Sequence, residues 1–161
     1  LLPEIINYLE KRSYKFNYII QFSNISNDLE DVKKKLINLN RTNKKIKLIE
    51  KYCDYKEFRN ILKKIDIMPI IHKADEINKI TSGTMYSCVS HQIPTVLPKG
   101  TNFMKDILKF KSYETAENID DFANKIIKIS KKYDYYLKNV KYNSHILKKI
   151  LKNDPLQRNI T

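Results

Sequence analysis

The chain has 161 residues, 42% of them apolar, and a formal net charge of +13; at this size one globular domain buries roughly two-thirds of the surface that its unfolded chain exposes. It has no uncharged apolar run of about 18 residues and no basic start, apolar middle and small-residue cleavage site, so neither a spanning helix nor a secretory signal is expected, and the default setting is cytoplasmic. Only four of its 31 cationic residues are Arg (Arg12, Arg41, Arg59, Arg158); specific phosphate and base contacts favour Arg and no aromatic-plus-basic strip is evident in the linear sequence, so no nucleic-acid partner is expected.

Short β-branched or aromatic runs alternate with longer runs of helical period, the pattern of a parallel α/β sheet. Leu1 to Lys11 reads as a helix, and its opening, LLPEIINYLEKR, has no initiating Met and reads like the middle of a longer protein. FNYIIQF, residues 16–22, reads as the first buried strand. Asn27 and Glu30 have capping-box spacing ahead of a helix with Leu29, Val32, Leu36 and Leu39 on its apolar face, ending near residues 40–43. KIKLIEKY, residues 45–52, alternates more and reads as a strand nearer a sheet edge. Asp54 and Glu57 repeat the capping box before a helix with Phe58, Ile61, Leu62 and Ile65 on one face. A third strand, IMPII at 67–71, is closed by Pro69, and a polar loop, HKADEINKIT, follows.

Next comes ITSGTMYSCVSHQIPTVLPKG, residues 80–100, which holds both of the chain's 2 glycines. Met85, Cys88 and Val89 are at helical spacing, and IPTVL, residues 93–97, reads as a strand. A short helix from about Asn102 to Lys109 and an extended piece from Phe110 to Glu114 are expected to follow. The last third reads as helical, with one stripe of Ile119, Phe122, Ala123, Ile126 and Ile127 and another of Tyr133, Tyr136, Leu137 and Val140. The tail after Asp154 is expected to fray. Together these elements predict a Rossmann-like parallel sheet of about five or six strands, flanked by helices and ending in a helical carboxyl terminus, within a single domain spanning 1–161.

In an open parallel sheet, ligands bind at the carboxyl ends of strands, where loops enter helix N-termini. With Ser82 at a helix N-cap, its hydroxyl and the backbone N–H groups of Gly83, Thr84 and Met85 would form an anion cradle suited to a diphosphate. Gly83 would let the phosphate approach closely. The same residues also read as a tight loop into a capped helix with no ligand. Cys53 and Cys88 lack the spacing of a disulfide scaffold or metal cluster and are expected to be reduced and structural. None of His72, His91 and His145 has a neighbour that suggests a triad or metal site; His91 falls at a helix end, and His72 follows the third strand, within reach of a ligand there.

The order FRNILKKIDIMP (58–69), a polar loop, SGTMYSCVSHQIPTVLPKG (82–100), Ile107 and Leu108, and YETAENIDDFANK (113–125) resembles the carboxyl-terminal domain of GT-B glycosyltransferases. The resemblance covers about residues 14–145, and its motifs are short and degenerate. It implies a donor-binding domain for a nucleotide-diphosphate sugar, with the diphosphate at Ser82, Gly83 and Thr84. The base would lie at Tyr52, Cys53, Asp54 and Tyr55, and the sugar would be bordered by Lys99, Gly100 and Thr101. Lys99 would neutralise the departing phosphate. The resemblance further implies a hexosyl transfer in glycan or polysaccharide assembly, no metal or other cofactor, and a partner domain on the amino-terminal side carrying most acceptor contacts.

Many retaining members have Glu, seven residues and Glu across this unit; here those places hold Lys79 and Ser87, so no ribose-binding carboxylate and no stereochemistry are inferred. Asp-X-Asp, a Walker loop and G-x-G-x-x-G are missing from the sequence, which disfavours GT-A transfer, NTP hydrolysis and Rossmann redox chemistry. Two alternatives stay open: half of a non-hydrolysing sugar-nucleotide epimerase, and a ligand-free α/β interaction or regulatory module. Tyr133 and Tyr136 read as core and Tyr135 and Tyr142 as snorkelling from a basic helix, with a membrane or a partner domain as the alternative contact for these tyrosines, and the polybasic chain suggests peripheral contact with an anionic inner membrane face.

Overall fold

The computed structural model describes residues 1–22, 29–71, 83–102 and 107–153. The chain divides into two compact units, Leu1–Ile65 and Asp66–Thr161. Both are α/β with parallel strands.

The first unit contains α1 (Leu2–Lys11), β1 (Tyr18–Gln21), α2 (Glu30–Thr42), β2 (Ile46–Ile49) and α3 (Tyr55–Leu62). β1 and β2 pair in parallel from Tyr18↔Ile46 to Gln21↔Ile49, the register that a helical crossover such as α2 permits. Ile6, Ile20, Leu36 and Ile46 form the core, with Val32 and Leu39 packed against it. Leu29, expected on that apolar face, is instead exposed at the N-cap position of α2; Asn27, its expected capping partner, lies outside the described residues. The Asp54–Glu57 capping box is formed on α3, with Glu57 N donating to Asp54 Oδ1 at 2.7 Å and Asp54 N to Glu57 Oε2 at 3.3 Å. β2 ends earlier than its apolar run because the chain turns after Ile49, and Gln21 Nε2 takes the Lys51 carbonyl at 2.9 Å.

The second unit contains β3 (Met68–Pro69), α4 (Gly83–Ser90), β4 (Thr95–Pro98), β5 (Tyr113–Ala116), α5 (Ile119–Lys131) and α6 (Tyr133–Asn153). Its sheet has the order β3-β4-β5, all parallel. Ile70, Met85, Val89, Leu97, Ile107 and Leu147 form its core. Among the described residues the strands thus form separate sheets of two and three strands, a correction to the single sheet of about five or six strands. Pro69 supplies one physical reason. Met68 N donates to the carbonyl of Pro94, just before β4, at 3.0 Å and Ile70 N to that of Val96 in β4 at 2.9 Å, so the ring nitrogen of Pro69 faces the other side of β3, where it offers no donor to a further strand.

Two boundaries moved. The short helix expected over about 102–109 falls partly on residues 103–106, outside the described set, and Ile107 to Lys109 form a tight turn (Lys109 N to Ile107 O, 2.9 Å). The extended piece expected from Phe110 begins only at Tyr113, because Asn143 of α6 occupies both backbone groups of Phe110. Phe110 N donates to Asn143 Oδ1 at 3.0 Å, and Asn143 Nδ2 donates to Phe110 O at 2.7 Å and to Ser112 Oγ at 2.9 Å. Asn118 caps α5 by accepting from Asp121 N at 2.9 Å.

β5, α5 and α6 meet at Glu114, which is only 4% exposed. Its carboxylate accepts from the Tyr136 hydroxyl and pairs with Lys128 Nζ at 2.9 Å and Lys111 Nζ at 3.6 Å. Burial pushes the Glu114 carboxyl up, but the hydrogen bonds from Tyr136 and Lys128 outweigh it and hold the group below the usual range. A depressed folded-state pKa contributes stability above the unfolded value of about 4.3, and that contribution disappears as pH falls through the folded value. Glu114→Gln is therefore expected to be less stable than wild type at neutral pH in urea unfolding, with the gap narrowing as pH falls below about 4; a gap independent of pH would contradict the assignment.

Candidate functional site

Parallel strands joined by helical crossovers bring their carboxyl ends, and the N-termini of the helices that follow, to one sheet edge. In the second unit that edge receives the start of α4, the residues after β4 and the residues between β5 and α5. α4 is seated by Met85, Cys88 and Val89, all buried. Its first described residues, Gly83 and Thr84, are exposed. A side chain added at Gly83 would meet no described atom within 4 Å. Among the described residues, the fold around this glycine therefore does not demand it.

Gly100 answers to a different constraint. Pro98 to Thr101 form a turn in which Thr101 N and Thr101 Oγ1 both donate to the Pro98 carbonyl, at 3.3 and 2.8 Å. Gly100, third in that turn, has φ 87°, the positive value that β-branched and bulky residues avoid. Lys99 N is held by Ala116 O at 2.8 Å, which ties this turn to the end of β5. The exposed Lys99 ammonium is paired with Glu117, which raises its pKa, and Glu117 N donates to Asp121 Oδ2 at 3.2 Å. An anion arriving here would have to draw Lys99 away from Glu117.

In the first unit, Tyr52 and Tyr55 stand 79% and 76% exposed at the carboxyl edge of β1 and β2. The Arg59 guanidinium lies 5.6 Å from the Tyr55 ring centroid. Asp54 spends its carboxylate on capping α3, Cys53 is half-buried, and Lys51 is paired with Glu57. The hydrogen bond from Lys51 is the main cause holding the Glu57 carboxyl below its ordinary value.

The sequence-derived residues thus fall in two sets: Tyr52, Cys53, Asp54 and Tyr55 in the first unit, and Gly83, Thr84, Met85, Lys99, Gly100 and Thr101 in the second. Ser82 and His72 lie outside the described residues. Met85 is fully buried in the core, so its side chain is not available to a ligand. Cys88 is equally buried, and desolvation pushes its thiol up to about 12, which keeps it neutral. His91 Nδ1 sits 2.9 Å from Ser87 O, a contact at the end of α4 as its position suggested. Glu117 and Arg59 were not anticipated; the i, i+4 spacing of Tyr55 and Arg59 was the available signal for the second. An open cleft between α1 and α2, bordered by Pro3, Glu4, Lys35 and Thr42, includes none of the sequence-derived residues. Among the described residues no group of three His, Cys, Asp or Glu side chains is placed to hold a metal ion, and no helix is long and apolar enough to cross a membrane.

No protein-family model matches the chain, and a search of curated proteins finds no similar one.

The two glycines are expected to respond unequally to the same substitution. Gly100→Ala forces a side chain into a positive-φ position and should cost about 1–2 kcal/mol in denaturant unfolding, whereas Gly83→Ala should change stability by less than about 0.5 kcal/mol.

Proposed function

We propose that residues 1–161 work as the donor-binding domain of a GT-B glycosyltransferase, a Rossmann-like domain that recognises the diphosphate of a nucleotide sugar. The observation that supports this reading is the pairing, in one parallel α/β unit, of an exposed glycine at the start of α4 with a glycine turn at the end of β4. The first offers N–H donors and the positive end of a helix dipole to a diphosphate. The second holds Lys99 and Thr101 where the resemblance puts the sugar.

Chemically, this chain's share of a transfer is to bind the donor and to stabilise charge on the departing diphosphate. Lys99 contributes when it exchanges Glu117 for a phosphate oxygen. The reading involves no metal, pairs this domain with an acceptor-binding domain, and sets the reaction on the cytoplasmic side in glycan or lipid-linked assembly. Lys99 being already neutralised by Glu117 favours one second reading, an α/β interaction module whose SGT segment only begins a helix.

Calorimetric titration with UDP, GDP, ADP and CMP, without added metal, separates the two. The donor reading predicts that one nucleoside diphosphate binds, and that Ser82→Ala and Gly83→Val each weaken it roughly tenfold, about 1.4 kcal/mol, with unfolding midpoints unchanged. Binding of no nucleotide by the folded chain, or binding indifferent to both substitutions, would favour the module.

A further inference from the structure

Helix α6 buries Tyr136, Val140, Asn143, Ser144 and Leu147. On the opposite face, Tyr135, Lys138, Tyr142, His145, Lys149 and Lys152 follow one another at alternating spacings of three and four, which places them in one stripe along a helix. All are exposed, Tyr135 at 53% and Tyr142 at 46%. The Phe110 ring, itself 43% exposed, packs on Tyr142 with centroids 5.0 Å apart and widens the stripe. Lys141 and Lys148 flank it.

Among the described residues, this face carries far more positive than negative charge. The one acidic residue of α6 is Asp134, in its first turn. Among the described residues, none of Lys138, Lys141, Lys148, Lys149 and Lys152 makes an ion pair, in contrast to Lys128 and Lys125, which face Glu114 and Asp121. From Tyr135 to Lys152 the stripe runs roughly 25 Å at the rise of an α-helix.

We propose that this face of α6 docks on an anionic lipid surface, with the lysines against headgroup phosphates and Tyr135, Tyr142 and Phe110 in the layer between headgroups and acyl chains. A row of flexible ammonium groups on a straight face suits a plane of diffuse negative charge, and amphipathic aromatic rings settle at that depth. Nucleic acid fits less well. The stripe has no Arg, and the Phe110 and Tyr142 rings are packed on each other rather than presented as separate stacking platforms. The inference is independent of the donor-site reading, since it uses none of those residues.

Flotation of the chain with vesicles of phosphatidylcholine, with and without phosphatidylglycerol, tests it. Binding is expected only to the anionic vesicles. Each lysine near a charged bilayer contributes about a fivefold gain in partitioning, so Lys138→Gln with Lys149→Gln should lower it roughly 30-fold. Lys34→Gln with Lys44→Gln, the same loss of charge elsewhere, should leave it within about twofold. Tyr142→Ser should weaken binding even in low salt. Equal loss in both lysine pairs would overturn the proposal by showing a response to total charge alone. So would failure to bind anionic vesicles, equal binding to neutral ones, or displacement from anionic vesicles by an equal concentration of single-stranded oligonucleotide phosphate.

Discussion

Each unit is built around a carboxylate that a tyrosine and a lysine share. In the first, Glu10 of α1 accepts from the Tyr18 hydroxyl of β1 at 3.0 Å and pairs with Nζ of Lys45, the residue before β2, at 3.0 Å. In the second, Glu114 does the same for β5, α5 and α6, in a far more buried setting. A buried carboxylate without partners is too costly to keep, so the position of Glu114 on the sheet dictates where α5 and α6 lie. Burial and the facing carboxylate push both tyrosines above their ordinary pKa, so each remains a hydrogen-bond donor. The proposed site inherits that constraint. Two residues past Glu114, the Ala116 carbonyl fixes Lys99, and the next residue, Glu117, pairs with its ammonium.

Where the sequence was legible, a local rule was sufficient. The Asp54–Glu57 capping box needs only three-residue spacing and two side chains, and α4, α5 and α6 follow apolar stripes of helical period. Sheet extent was not legible. Whether β-branched runs join one sheet depends on long-range pairing, and here each strand is two to four residues long. The start of β5 was misplaced for a similar reason: Asn143, a polar residue inside an apolar helix face, takes both backbone groups of Phe110. Nothing near Phe110 in sequence announces that partner.

Two glycines in one segment drew attention to the second unit, and the structure separates their roles: Gly100 satisfies backbone geometry at φ 87°, and Gly83 is exposed, with no described atom within 4 Å of an added Cβ. The partnership of Lys99 with Glu117 was invisible because it depends on the register of β4 against β5. Charge shows the same contrast. Spread along the chain, the lysines resemble a compositional bias, but folding into α6 gathers several on one face beside Tyr135 and Tyr142, with Asp134 in the first turn as its one carboxylate among the described residues. Periodicity hides such a stripe in linear order and reveals it once the helix exists.

The donor-binding account stands on the carboxyl edge of the second unit's sheet, so the most direct test observes that edge residue by residue. Amide chemical shifts of the 15N-labelled chain should be followed as a nucleoside diphosphate is added without metal. The account predicts saturable changes concentrated at Gly83, Thr84, Lys99, Gly100 and Thr101, with the α6 amides from Tyr135 to Lys152 unmoved. Changes absent from the start of α4 and the turn after β4, or centred on α6, would contradict it.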